Sequence, residues 1–490
     1  MILTQTSPIR VEIDASFQEM KAIKEFLTYE DKSVVFEINR TRNNKYLKKT
    51  LGDEAFVALL LELNSKRHRT LVNDNSWTYS GLSHKLLNKF GGTFVNNVSY
   101  PEEKIIPYQN VPKHKPRYFQ NDSCDALIEA KHGAVSIGTG LGKTTIIQML
   151  VKHFGQKAVV MAPSVSIAEQ MYLEFQNLFG RKYVGFYGDG TKECKKLITI
   201  GIGQSLTRIV PGSPDYKALS KATLFIVDES HLTPAATLES VCFGLMANAP
   251  YRFFFSATQF RNDGRDLLLA AITGPIVYNM TVKEGIDQGF LSKLKFMMFE
   301  TTSDVDFYHP DTNKMTSNHL FYNKKVNALA AELANKHVEV FKRPVLILID
   351  EIEQFVKIYP LLKHKFGFAH GTLTKENSKG VPEEFLDSNT TKLVNDFNAG
   401  VFPILIGTSC VSTGTDIQAV QTMIRLKGGT SEISVMQDVG RCTRLSPGKT
   451  DCFVIDFDIV NIEALEHHAA NRREIYNSIY GQVQNVRIKS

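Results

Sequence analysis

The chain has 490 residues, 43% hydrophobic and 22% charged, with a formal net charge of +6. This composition excludes a disordered or fibrous protein, and the length calls for two or three domains, each able to bury its own core. Six scattered cysteines without a CxxC pair exclude a disulfide scaffold and argue against structural zinc, while the mild positive balance permits a polyanionic partner without demanding one.

No apolar run approaches the length of a membrane span, and the first residues, MILTQTSPIRVEID, lack the apolar core of a signal peptide. A cytoplasmic location with no membrane partner is expected. The expected divisions are an accessory domain over 1–105, two larger α/β domains over 106–285 and 286–462, and a charged helix and tail over 463–490.

In the accessory region, Ile9, Val11 and Ile13 alternate as in a strand. Ser16 and Glu19 form a capping box ahead of the helical stripe Phe17, Met20, Ile23 and Phe26-Leu27. VVFEI (34–38) reads as a further strand and FVALLLEL (56–63) as a buried helix. Basic clusters, Arg40-Arg42-Lys45-Lys48-Lys49 and Lys66-Arg67-His68-Arg69, lie near Tyr46, Trp77 and Tyr79. Such a mixture can follow a nucleic-acid backbone or simply form a solvated face. Proline and polar residues over 100–117 indicate a linker.

Tyr118-Phe119-Gln120 follows. A side-chain amide can pair with both edges of adenine, and an aromatic ring can stack on it. An Asp125…Glu129-x-Lys131 spacing resembles part of a nuclease site, but it falls in the helix expected to lead into the next strand.

SIGTGLGKTT, Ser136 to Thr145, separates an apolar run from an amphipathic helix carrying Ile146, Ile147, Leu150, Val151 and Phe154 and closed by Gly155. Strand, glycine turn, Gly142-Lys143-Thr144 and helix make the geometry of a phosphate-binding loop. Backbone N–H groups and the positive helix end face phosphate, Lys143 reaches the β- and γ-phosphates, and the Thr144 hydroxyl can ligate Mg²⁺. Ile137 stands where the strict pattern has glycine, so the loop alone also permits a ligand-free turn.

KAVVMAP (157–163), KLITIGIGQSL (196–206), TLFIVDESH (223–231) and RFFFSAT (252–258) are further expected strands. Asp228 and Glu229 end one of them, at the carboxyl edge of a parallel sheet, where open α/β sheets take ligands. Asp228 would hold Mg²⁺ through water, and Glu229 would orient and deprotonate the attacking water. The hydroxyl residues closing RFFFSAT are placed to hydrogen-bond that acidic loop.

The second half repeats the strand–helix rhythm without a phosphate loop, in RPVLILID (343–350), FGFAHG (366–371), VFPILIGT (401–408), TMIRLK (422–427) and CFVIDF (452–457). Residues 302–323 read as an exposed loop. SCVSTGTDI (409–417) is suited to contacting phosphate or backbone. In MQDVGRCTR (436–444), helical spacing puts Gln437, Arg441 and Arg444 on one face and turns Met436 and Val439 toward a core. That polar face is a salt-bridge site or, facing a bound triphosphate, a pair of arginine fingers.

The ordered set resembles the superfamily 2 helicases: RYFQ (117–120), TGLGKT (139–144), PSVSIAEQ (163–170), DESH (228–231), SAT (256–258), STGTD (412–416) and QDVGRCTR (437–444). The accessory region is similar in layout to phage UvsW-type helicases. The resemblance implies two RecA-like parallel-sheet lobes of P-loop NTPase type and a small N-terminal α/β domain. It implies adenine recognition by Gln120, and binding of ATP and Mg²⁺ by Thr139, Gly140, Gly142, Lys143, Thr144 and Asp228. Catalysis would fall to Glu229, Gln437, Arg441 and Arg444. His231, Ser256 and Thr258 would couple hydrolysis to strand movement, and Gly414 and Asp416 would bridge nucleotide and strand. Ile202 departs from the threonine usual ahead of Gln204. The implied partner is DNA (single-stranded, duplex or branched), because the pattern looks closer to UvsW and RecG-like translocases than to RNA enzymes of the DEAD-box type. An RNA helicase, a nucleotide-switched binding module and a restriction-enzyme motor subunit are the alternatives.

Overall fold

In the computed structural model, residues 1–112, 114–257, 266–371, 373–374, 377–412 and 417–487 are described. The chain forms two compact units, Met1–Ile137 with Gly142–Asn279, and Gly138–Leu141 with Met280–Ser490. Each is built on a mostly parallel sheet, so the α/β class with two RecA-like lobes is what the chain adopts.

The first unit's large sheet runs in the order Thr191–Lys192, Val184–Gly188, Ile198–Ile202, Ala158–Ala162, Leu224–Val227, Tyr251–Ser256, His132–Ile137 and Ile276–Met280. The strands from Val184–Gly188 to Tyr251–Ser256 in that order are buried along their whole lengths. Near-continuous apolar runs of this kind are what a parallel sheet covered on both faces requires. Parallel register sets Ser256 beside Ser136 and Val227 beside Phe254. The glycine turn after Ile137, the acids after Val227 and Ser256 therefore emerge side by side at one carboxyl edge.

The accessory region adds a small sheet in the order Trp77–Tyr79, Arg10–Asp14, Ile2–Ser7, Thr93–Asn96. Its alternation is as expected, with Val11 and Ile13 buried, and the Ser16–Glu19 capping box forms. Phe17 does not join the buried stripe; it is 87% exposed. VVFEI is not a strand but lies inside the helix Lys32–Asn43, started by the Asp31 carboxylate accepting the Ser33 N–H. Helical spacing buries Ile38 and Thr41 together against the helix Asp53–Ser65, which a strand would not do. That second helix is only partly covered, since Val57 and Leu61 are exposed.

One core runs from this region into the large sheet, joining Leu3, Ile23 and Leu82 to Phe225, Phe254 and Leu268. Tyr79 stacks on Phe243 with centroids 4.0 Å apart, and Arg69 pairs with Glu239. Gly81 lies so close that a Cβ there would sit 2.4 Å from the Ala271 carbonyl oxygen. The expected linker is a docked strap: Lys104 and Ile106 donate backbone N–H groups to Phe154 and Lys152, and Gln109 to Leu178.

The second unit's sheet runs Phe366–Ala369, Ile404–Gly407, Val345–Ile349, Thr422–Leu426, Asp451–Ile459, Lys293–Thr301, Val483–Arg487. Two readings change here. Residues 302–323 include the helical turns Thr312–Thr316 and Ser317–Phe321, and they bury His319, whose ring nitrogens meet Ser303 Oγ at 2.9 Å and the Phe307 carbonyl at 2.8 Å. The tail after the helix Glu463–Tyr480 is an edge strand parallel to Lys293–Thr301. Among the described residues no helix is long and apolar enough to cross a membrane.

Candidate active site

The turn after the buried strand His132–Ile137 needs backbone that side-chain-bearing residues avoid. Gly142 has φ +83°, and a Cβ there would lie 2.6 Å from Gln120 Nε2. Gln120 is buried in the helix Tyr118–Ala130; its Oε1 accepts the Arg117 N–H at 2.9 Å and its Nε2 donates to the Gly142 carbonyl at 3.3 Å. The residue expected to read adenine thus braces the phosphate loop. Ile137, the departure from the strict pattern, is the fully buried last residue of its strand and offers its carbonyl to Lys143 Nζ at 3.4 Å.

Lys143 opens the helix Lys143–Phe154, buried, with its ammonium 2.9 Å from Glu229 Oε1. Thr144 follows, half-buried in the first turn. Asp228 is buried and accepts the Glu229 N–H at 3.0 Å. Burial raises its carboxyl to about 7, with Glu229 adding to the rise and Lys143 opposing it. Glu229 sits at φ +46°, a left-handed conformation that costs a non-glycine residue of order 1–3 kcal/mol and is characteristic of functional turns. His231 Nδ1 lies 3.4 Å from Glu229 Oε2 and 2.6 Å from Ser256 Oγ, so acid, histidine and hydroxyl form one chain within the first unit.

In the second unit Gln437 lies on the helix Glu432–Gly440, begun by Ser431 Oγ accepting the Ser434 N–H. Arg441 is its cap, still right-handed (φ −66°, ψ −30°), so the four-residue spacing from Gln437 holds. Arg444 lies past the helix end, and the shared helical face does not extend to it; the Thr443 and Arg444 carbonyls are instead held by the N–H and hydroxyl of Ser292. Met436 and Val439 are buried as the spacing requires. Thr258, Gly414 and Asp416 lie outside the described residues. One residue that the motif reading passed over is Asp438, 1% exposed beside Gln437; its signal is a carboxylate at a helix position that must face the core.

Two family models match the chain. Residues 113–261 fit the one described as Type III restriction enzyme, res subunit, and 324–446 the Helicase conserved C-terminal domain. The chain belongs to helicase superfamily 2. Among its relatives, the ATP-dependent DNA helicase uvsW of Enterobacteria phage T4 is 20% identical over 394 residues, 76% of this chain and 74% of that one. IRC3 of Saccharomyces cerevisiae is 25% identical over 370 residues, 70% of this chain, and this chain spans about half (51%) of its length. Among solved structures, Saccharomyces cerevisiae Dbp5 bound to RNA and ADP BeF3 superposes with TM-score 0.53 at 16% identity, covering 77% of this chain and 90% of that one, a likeness of fold.

Proposed function

We propose that this chain is an ATP-dependent DNA helicase or translocase that couples hydrolysis to remodelling of branched DNA. The observation that carries the reading is Lys143 beside the Asp228–Glu229 pair, under a glycine turn at the carboxyl edge of a parallel sheet. Lys143 exchanges Glu229 for the phosphate oxygens of ATP, and Glu229 is then free to orient and deprotonate water. His231 and Ser256 carry the change in Glu229 into the sheet edge. Stabilisation of the charge that develops on the transferred phosphoryl group is the role proposed for Gln437, Arg441 and Arg444.

The donor set fits Mg²⁺. Among the described residues no group of three or more His, Cys, Asp or Glu gathers as a metal cage. Mg²⁺ prefers one or two protein oxygens together with phosphate and water. Asp228, an under-compensated buried carboxylate, and the Thr144 hydroxyl would hold it, and it would there supply neutralisation of charge on the phosphate oxygens.

DNA as partner is supported by the relatives' names, among them the phage DNA helicase and the DNA 3'-5' translocase XPB2 of Sulfurisphaera tokodaii. The test is steady-state ATP hydrolysis with no nucleic acid, single-stranded DNA, duplex DNA, a four-way junction and single-stranded RNA. Strongest stimulation by duplex or branched DNA is expected. Stimulation by RNA alone would move the protein to RNA, and no stimulation by any of them would leave a nucleotide-switched binding module.

A further inference from the structure

Behind the helix that carries Gln437 and Arg441 lies a buried network of opposite charges. Asp438 Oδ2 accepts from Arg425 Nε at 3.2 Å, and its Oδ1 lies 3.1 Å from Lys427 Nζ. Arg425 also donates to the carbonyls of Lys427 and Gly428, at 2.8 and 3.1 Å, and stands 3.8 Å from Asp456. Asp456 in turn accepts two hydrogen bonds from Arg472, at 2.8 and 3.1 Å, and the Tyr476 hydroxyl at 2.7 Å. Asp350 closes the rim, accepting the Gly428 N–H at 2.9 Å with its other oxygen 3.8 Å from Lys427 Nζ. Arg425, Asp438, Asp456, Arg472 and Tyr476 are each no more than 2% exposed.

This network joins three pieces of the second unit: the strand Thr422–Leu426, the strand Asp451–Ile459 and the C-terminal helix Glu463–Tyr480. Arg425 and Lys427 reach Asp438 of the helix Glu432–Gly440 directly, and Asp456, Arg472 and Tyr476 stand behind Arg425. Arg441 is tied directly to that residue, since its N–H donates to the Asp438 carbonyl at 3.2 Å. Two cations on Asp438 fix both the rotation of the helix about its axis and its height over the sheet. They therefore fix the origin from which the Arg441 side chain extends.

We infer that Asp438, held by Arg425 and Lys427 and backed by Asp456, Arg472 and Tyr476, is a positioning residue that sets Arg441 for phosphoryl transfer, and that the C-terminal helix is thereby part of the catalytic apparatus. The inference rests on the proposed role of Arg441. An isolated structural ion pair would tolerate variation in the orientation of this helix; a finger does not, because an error of about 1 Å at a catalytic group costs on the order of 10²-fold in rate.

The test is a cycle in the full-length chain: wild type, Asp438→Asn, Arg441→Ala and the double variant, each measured for kcat, KM for ATP and thermal midpoint. Asp438→Asn is expected to lower kcat roughly 10- to 100-fold with KM little changed. In the Arg441→Ala background the same substitution should change kcat less than about twofold, because a positioning residue has nothing left to position. Equal losses in both backgrounds, or a loss confined to KM, would overturn the inference in favour of a structural role. Should Asp438→Asn fail to fold, Tyr476→Phe, which keeps the ring and removes one hydrogen bond to Asp456, enters the same cycle and is read by the same criterion. Arg441→Ala alone leaving kcat unchanged would sink the finger role and this inference with it, a result visible before any network variant is made.

Discussion

Asp228 and Asp456 are the same residue type, both buried and both in or just past a strand of a parallel sheet, yet their surroundings act in opposite directions. At Asp228 a second carboxylate is adjacent in sequence and Lys143 pairs with that neighbour, so burial prevails and the carboxyl rises to about 7. At Asp456 burial also pushes upward, but Arg472 and Arg425 outweigh it and hold the carboxyl below its ordinary range. The first cluster sets Asp228 and Glu229 against Lys143 around a left-handed Glu229; the second sets Arg425, Lys427 and Arg472 against Asp350, Asp438 and Asp456. An unbalanced cluster is poised to take up a cation or a proton, whereas a balanced one resists any change in the position of its members.

The contrast can be broken most sharply at Lys143. Lys143→Ala is expected to abolish ATP hydrolysis while leaving nucleic-acid binding nearly intact, checked by steady-state turnover and equilibrium binding. Retained hydrolysis would place the chemistry elsewhere.

Next in size is a paired comparison of stability. Asp456→Ala leaves the buried Arg472 without its carboxylate partner and should cost about 3–5 kcal/mol. Asp228→Asn removes an under-compensated charge and should be neutral or stabilising while it eliminates hydrolysis. Denaturant unfolding of the two variants decides the matter, and equal destabilisation would erase the distinction between the clusters.

A neutral buried group gives the pH dependence. His337 is 5% exposed and bonded to Thr422 Oγ1 at 2.8 Å; burial lowers its imidazole to about 4, with the Arg343 and Lys336 charges adding to the effect. The unfolded chain therefore binds the extra proton first. The stabilisation from neutral His337 is complete above about pH 6.5 and is lost as pH falls toward 4, amounting to roughly 2 kcal/mol by pH 5. Unfolding midpoints at pH 7.5 and 5 should show a smaller drop in His337→Gln than in the wild type.

Ser256→Ala is expected to have the smallest effect. It removes the hydroxyl beside His231 at a cost of about 1 kcal/mol. ATP turnover should stay within a few-fold of wild type while DNA remodelling per ATP declines. Full coupling in that variant would leave the His231–Ser256 contact a packing detail.

Much of the first site was legible because its chemistry imposes local pattern. A glycine turn between a buried strand and a helix can be read from Ser136 to Thr145, and DESH from the apolar run that it ends. The accessory region was less legible. Val34, Phe36 and Ile38 satisfy a strand period as readily as Val34, Val35 and Ile38 satisfy a helical one, and the helix is selected by the Asp31 cap and by packing against the helix Asp53–Ser65. Residues 100–112 carry the proline and polar content of a linker, yet hydrogen bonds to the ends of two helices make them a strap. Arg444 lies beyond the helix because the helix ends at Gly440 and Ser292 holds the next carbonyls.

By itself, then, the sequence determined the α/β class, the order of the motifs and the placement of Lys143 at a helix start and of Asp228 and Glu229 at a strand end, all of which follow from periodicity and turn chemistry within a few residues. Only the tertiary structure decided that Gln120 braces the glycine turn, that Val483–Arg487 pairs with Phe296–Glu300, and that Asp438 is held by Arg425 and Lys427. Those contacts join residues from about ten to nearly two hundred positions apart. No local period encodes them, because their stability arises when separate buried surfaces meet and the polar groups sealed between them must find partners.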